Sequence, residues 1–138
     1  MVNNDNPWDF SDWGGHANTS GGNNTVDRIF LLSIDEVLRY FGDSGLVASG
    51  AMMGANAREE SDYEGLWGWF VYDQFSRARR AIDLGGTGSW WWLRSPGGSS
   101  DAAASVGVSG RLRMHGDYVF LEDVGGGIRP ALWLYLQP

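Results

Sequence analysis

The 138-residue chain contains no cysteine, and all ten of its basic residues are arginine, so lysine is absent too. The first absence excludes disulfides, thiolate nucleophiles and cysteine-ligated zinc. The second excludes a Walker-type phosphate loop and a Schiff-base lysine. Imidazole is scarce: only His16 and His115 occur. With no G-x-S-x-G elbow, nothing places either histidine beside a serine nucleophile, and a hydrolytic triad is not written in the chain. A D-x-[DN]-x-[DN]-G calcium loop is missing, and "LGGTG" at 84–88 lacks both the dinucleotide spacing and a following helix, so it reads as a turn. Positive charge is also in deficit, at a formal net charge of −7, which argues against a nucleic-acid partner because such binding depends on a positive surface. No apolar run reaches the roughly 18 residues of a membrane span, and the N-terminus lacks a signal-peptide pattern. The expectation is a soluble chain with no cofactor, no metal and no membrane insertion.

What is present points to one globular domain rich in irregular backbone, since the composition is 43% hydrophobic and 14% aromatic with 21 glycines. Residues 1–26 read as a long irregular segment pinned by Trp8, Phe10 and Trp13, because wholly disordered tails are poor in aromatics. The sequons at Asn18 and Asn23 read as solvated loop asparagines. "RIFLLS" is a short apolar run suited to a buried strand. Behind it, Ile34, Val37, Leu38 and Phe41 fall at helical spacing. Ser33 and Glu36 form a capping box and Gly42 stands where a helix C-terminal glycine belongs, so both ends of this helix are written locally. Asp35 and Glu36 then belong to its first turn rather than to an acid pair for catalysis.

Residues 43–65 read as loop. Around Trp67, Trp69 and Val71 the pattern fits a buried strand or an aromatic-stapled loop, and Arg77, Arg79 and Arg80 read as a solvated face or as ion-pair partners of the acidic surplus. The last 50 residues read as strands and turns. In "GSWWWLRSPGG" alternation sends Trp91 and Leu93 one way and Trp90, Trp92 and Arg94 the other, and Pro96, Gly97 and Gly98 stop the strand. Further on, period two puts Val106, Leu112 and Val119 inward and leaves Ser105, Arg111, Arg113, His115 and Tyr118 more exposed. "PALWLYL" is expected to close the sheet. Arg94 and Arg129 sit in otherwise apolar strands and are expected to be structural, partnered or lying along aromatic surface.

In order and spacing, "DRIFLLSIDEVLRYFGDSG", "WWWLRSPG" and "GGIRPALWLYL" resemble a bacterial and phage family of the C-type lectin fold, and more closely the variable proteins of diversity-generating retroelements. The resemblance runs from about Asn3 to Leu136. It implies a fixed scaffold over about 1–98 and 127–138, with Trp91, Trp92, Arg94, Arg129 and Trp133 in it, and a variable segment over about 99–126. It also implies an N-terminal part present in relatives and lacking here. The implied ligand-binding positions are Ser99, Ser100, Asp101, Ala102, Ser105, Gly107, Val108, Ser109, Arg111, Arg113, His115, Asp117, Tyr118, Phe120 and Leu121. Each is a residue that an asparagine codon can become by changes at its two adenines; Met114, a further free position in the frame, is not.

The expected fold is therefore α+β, a small twisted antiparallel sheet with one or two helices and long loops, of C-type lectin type. The expected function is non-enzymatic binding to a protein or cell-surface ligand through a diversified surface, with Arg111, Arg113, His115, Tyr118 and Phe120 as anchors. The resemblance implies a bacterial cell-surface, secreted or phage location, and a homo-oligomer is left open. Two other readings stand beside it: a non-diversified carbohydrate- or protein-binding module of a bacterial surface protein, and an enzyme of the same fold with an unrecognised site.

Overall fold

The computed structural model describes residues 29–49, 70–120, 126–132 and 134. Within them the elements run β1 (Ile29–Leu31), α1 (Ile34–Phe41), β2 (Phe70–Val71), α2 (Ser76–Arg79), β3 (Ala81–Ile82), β4 (Gly88–Ser89), β5 (Trp91–Pro96), β6 (Ala102–Val106), β7 (Leu112–Tyr118) and β8 (Pro130–Leu132). The result is a small α+β fold: a four-stranded antiparallel sheet ordered β2-β7-β6-β5, with the pairs β1–β8 and β3–β4 beside it. The expectations for Trp8, Phe10, Trp13, His16, Asn18, Asn23, Trp67, Trp69, Leu121 and Trp133 lie outside the described residues.

Helix α1 forms as its spacing predicts. The Ser33 hydroxyl accepts from Glu36 N and the Glu36 carboxylate accepts from Ser33 N, at 3.2 and 2.9 Å, which satisfies two of the N–H groups a helix start leaves orphaned. Its far end stops at Gly42, at φ 113°, where a β-carbon would run into the Phe75 ring. Ile34 and Val37 are buried, with Leu38 and Phe41 packed against the same core.

That core lies on one face of the four-stranded sheet. Trp91, Leu93, Ala104, Val106, Leu112 and Met114 reach it from β5, β6 and β7, and Val71 from β2. Strand β5 follows the expected alternation: Trp91 and Leu93 are buried while Trp90, Trp92 and Arg94 are half-buried. The indole N–H of Trp91 is satisfied at depth by the Arg79 carbonyl, 3.1 Å away, as a buried indole requires.

Two strand expectations are corrected. The run at 29–31 is only partly buried: Ile29 is 69% exposed and Phe30 and Leu31 are half-buried, β1 pairing among the described residues with β8 alone. Nor, among the described residues, does the C-terminal strand close the main sheet. The outer edge of β5 is already occupied: Trp92 N donates to Gly127 O, Gly127 N to Trp90 O, and Arg94 N to Leu32 O. With those ladder groups filled, the chain after Gly127 crosses to β1, and Pro130, which has no N–H, begins β8 opposite Leu31.

Of the arginines at 77–80, Arg77 and Arg80 are exposed as a solvated face would be, and the expected ion pair is made by Arg79. Its side chain is 0% exposed and its Nη2 donates to Gly42 O and to Asp73 Oδ2, at 2.8 and 3.0 Å. The knot ties the end of α1 to the turn before α2. Burial pushes the Asp73 carboxyl up, but hydrogen bonds from Ser44 and Arg79, the Arg79 charge and the Phe75 N–H outweigh it and hold Asp73 below its ordinary value. Because the folded pKa is the lower one, the contribution of ionised Asp73 is complete above about pH 4 and fades as pH falls through the folded value. Asp73→Asn should therefore cost about 3 kcal/mol at neutral pH by leaving Arg79 buried and uncompensated. Urea unfolding across pH should show the gap between parent and variant narrowing in acid; a gap independent of pH would count against the assignment.

Candidate functional site

The face of the four-stranded sheet opposite the core carries the candidate site. Residues directly paired across antiparallel strands point the same way, and the registers Phe70↔Arg113, Arg113↔Ser105 and Ser105↔Trp92 lay one continuous row across β2, β7, β6 and β5. Trp92 meets Trp90 edge to face, with ring centroids 4.7 Å apart. At the other end the Arg111 guanidinium lies 5.0 Å from the Phe70 ring centre, and its Nε donates to Ser109 Oγ at 3.1 Å.

An ion pair between Arg113 and Asp117 sits in the middle of the row, Nη1 to Oδ2 at 2.9 Å, and Ser105 Oγ donates to the same oxygen at 3.0 Å. Four residues along a regular strand span roughly 13 Å, too far for such a pair. The register explains the contact. Between Ser105↔Arg113 and Ala103↔Asp117, β7 advances four residues while β6 advances two. The surplus forms a bulge over Met114, His115 and Gly116 that bends Asp117 back toward Arg113. Gly116, at φ 74°, permits it, since a β-carbon there would strike the Ala103 carbonyl. The sequence marks Gly116 only as punctuation; a glycine inside a strand pattern was the available signal for a bulge.

The expected binding positions divide into three groups. Tyr118 and Phe120 are exposed and stacked, with centroids 5.2 Å apart at 23°. Arg111, Arg113, His115 and Asp117 are half-buried, as are Ser99, Val108 and Ser109, while Ser100 and Asp101 are exposed. Ser99 and Asp101 are engaged in the turn between β5 and β6, where Ser99 Oγ donates to Asp101 Oδ1 at 2.6 Å and Asp101 O accepts from Val119 N at 2.9 Å. Three positions are not surface positions at all: Ala102 is 8% exposed, Ser105 is 0% exposed, and Gly107 is buried beneath the Arg111 stem. Ser105 points outward but is small, central and flanked by Trp92 and Arg113, so alternation alone misjudges it. Val119 errs the other way. Expected inward, it is 62% exposed, because β7 ends at Tyr118 and the period of two ends with it. Met114, the residue that no asparagine codon reaches, is 0% exposed and belongs to the core.

Arg94 and Arg129 are bound into the scaffold. Arg94 Nη2 donates to Glu36 Oε2 at 2.8 Å, and its guanidinium lies 5.2 Å from the Phe30 ring centre. Arg129 lies between Phe41 and Trp91, at 4.8 and 5.2 Å. Among the described residues no group of three or more His, Cys, Asp or Glu is gathered as a metal site, and no helix is long and apolar enough to cross a membrane.

Together these features define a small α+β domain whose sheet presents a mixed aromatic and ionic face. Over residues 1–136 the chain matches the model of a family described as Domain of unknown function (DUF6273), and it belongs to that family. No curated protein and no solved structure matches it.

This membership corrects the resemblance drawn from the sequence blocks. The matched family is one of unknown function and spans nearly the whole chain, so the assignment to retroelement variable proteins falls. The C-type lectin label falls with it: the disulfides typical of that fold cannot form in a chain without cysteine. The buried positions add a physical reason, because side chains at Ala102, Ser105 and Gly107 cannot be exchanged freely without disturbing their neighbours. Accordingly, Ser105→Tyr should lower unfolding stability by about 1–3 kcal/mol through overpacking. Tyr118→Ser should stay within about 0.5 kcal/mol of the parent. Chemical denaturation of the two variants in parallel checks the contrast.

Proposed function

We propose that this chain is a non-enzymatic binding module that engages a polypeptide partner through the far end of β7 and the adjoining outer face of the sheet. One observation carries the reading: Tyr118, Val119 and Phe120 are 44%, 62% and 61% exposed in succession, with the two rings stacked on each other. Apolar side chains are tolerated singly at a surface, but a consecutive exposed aromatic cluster marks a contact site. Tyrosine and arginine are the residue types that dominate protein hot spots, and their cost on binding is low when they are held in place beforehand. Here the stack restrains Tyr118 and Phe120, while Asp117, next to Tyr118 in the chain, holds Arg113 on the outer face. The β5–β6 turn, with Ser99, Ser100 and Asp101, forms a polar rim, joined to the cluster by the Val119–Asp101 hydrogen bond.

A carbohydrate module is the second reading, favoured by the tryptophans of the same face. Sugar rings stack on open aromatic faces, whereas Trp90 and Trp92 meet edge to face and each covers part of the other. The polypeptide reading therefore has the stronger support. Panning a random peptide library and probing a glycan array with the full chain and with Tyr118→Ser/Phe120→Ser distinguishes them. Peptide binders should be enriched by the parent and lost by the double variant at an unchanged melting temperature. Peptides retained equally by the variant, no enrichment at all, or binding confined to glycans would each sink the proposal.

A further inference from the structure

A cleft of about 560 Å³ lies on the other side of β5, between the β3–β4 pair and the segment 127–130. Ala81, Ile82 and Asp83 form one wall and Ile128, Arg129 and Pro130 the other, with Trp90 and Trp91 between them. Its volume is that of a small-molecule site. The chemistry of its lining is specific in two respects.

Arg80 and Arg129 both open onto the cleft, and among the described residues neither has a carboxylate partner. In a chain with a net charge of −7 that is unexpected. Arg79, Arg94 and Arg113, by contrast, each hold an acid at 3.0 Å or less. Asp83, the acid in the cleft lining, does not serve them: its Oδ1 accepts from Gly85 N and Thr87 N, both at 2.8 Å, and so is committed to its own turn. Arg80 spends its Nε on Val108 O at 3.3 Å, and Arg129 makes one long contact, 3.4 Å, to Arg79 O. Most of the donors on both guanidinium forks remain available. Arg129 is also held in place, lying between Phe41 and Trp91.

The second respect is apolar surface beside that charge. Ile82 and Ile128 are 66% and 72% exposed on facing walls, and Trp90 lies alongside them. From these we infer that the cleft binds an organic anion, a carboxylate or phosphate carried on an apolar or aromatic body. The acid group sits on Arg80 and Arg129, whose planar forks match its geometry, and the body sits between Ile82, Ile128 and Trp90. This site is separate from the Tyr118–Phe120 surface, and either can fail without the other.

Titrating the full chain with 3-phenylpropionate, phenyl phosphate and the neutral 3-phenylpropanamide tests the inference, with the Trp90 indole resonance, assigned by its loss in Trp90→Phe, as the readout. At least one of the anions should shift that resonance at millimolar concentration, less so as salt is raised. The amide should bind at least about tenfold more weakly than the acid, as expected for loss of a charge-assisted hydrogen bond. Arg80→Gln should weaken anion binding by about tenfold with the melting temperature unchanged, because Arg80 is exposed; Arg129→Gln should weaken it too, its stability being read alongside. Peptides ending in phenylalanine, as free acid and as amide, separate a polypeptide C-terminus from a small acid as the natural source, and tighter binding of either acid form supports the site. Equal binding of acid and amide, anion binding unchanged in both arginine variants, or no shift with either anion would overturn it.

Discussion

Glu36 holds this domain together through one carboxylate oxygen. Its Oε2 accepts from the backbone N–H of Ser33, completing the capping box, and from Arg94 Nη2 in β5. A single buried charge thereby starts the helix and fixes it against β5. Nearby contacts repeat the link: Ile34 N donates to Ser95 Oγ and Arg94 N to Leu32 O. An ion pair at this depth contributes little net stability over an apolar pair, yet losing one partner is severe, so its effect is to specify position. Everything else that β5 carries depends on that position.

What β5 carries is the division of the molecule into two surfaces. Its inward residues, Trp91 and Leu93, fill the core. Its outward residue Trp92 begins the row that crosses to Phe70, while Trp90 turns to the cleft and packs against Gly126 and Gly127. The same strand therefore borders both surfaces, and the segment 127–130 that caps its edge is also one wall of the cleft. Arg79 plays the matching part at the other end of the helix. Its side chain bridges Gly42 to Asp73 and its carbonyl receives the Trp91 indole, so the tryptophan is positioned from both the sheet and the loop.

The outer face shows how a local irregularity creates a functional geometry. Without the bulge at 114–116, Arg113 and Asp117 would be too far apart to meet, and Tyr118 would reach the sheet margin in another register. Bulges bend and twist a strand and re-aim its side chains. Here the bend converts an alternating strand into a clustered ion pair followed by a protruding aromatic pair. The cost is a strict demand for glycine at 116, where backbone and not solvent fills the space a side chain would need.

Helix α1 was legible in full, because its cap, its spacing and its terminating glycine are all within nine residues of one another. The inward and outward sets of β5 were legible too, since alternation depends only on the strand's own pleat, and the turn at Asp83–Thr87 follows from local turn chemistry. Beyond that range the sequence placed Arg94 and Arg129 in the scaffold and Val106 and Leu112 in the core, and misplaced others. The burial of Ser105 depends on the size of its neighbours across two strands, the exposure of Val119 on where β7 ends, and the pairing of β8 on an edge already filled by Gly127 and Leu32. The Asp73–Arg79 knot and the cleft between Arg80 and Arg129 bring together residues from separate turns. Local conformation is determined by neighbours along the chain, and the sequence determined it here; which charges are paired, which aromatics are exposed and which arginines are left facing a cleft are decided by neighbours in space.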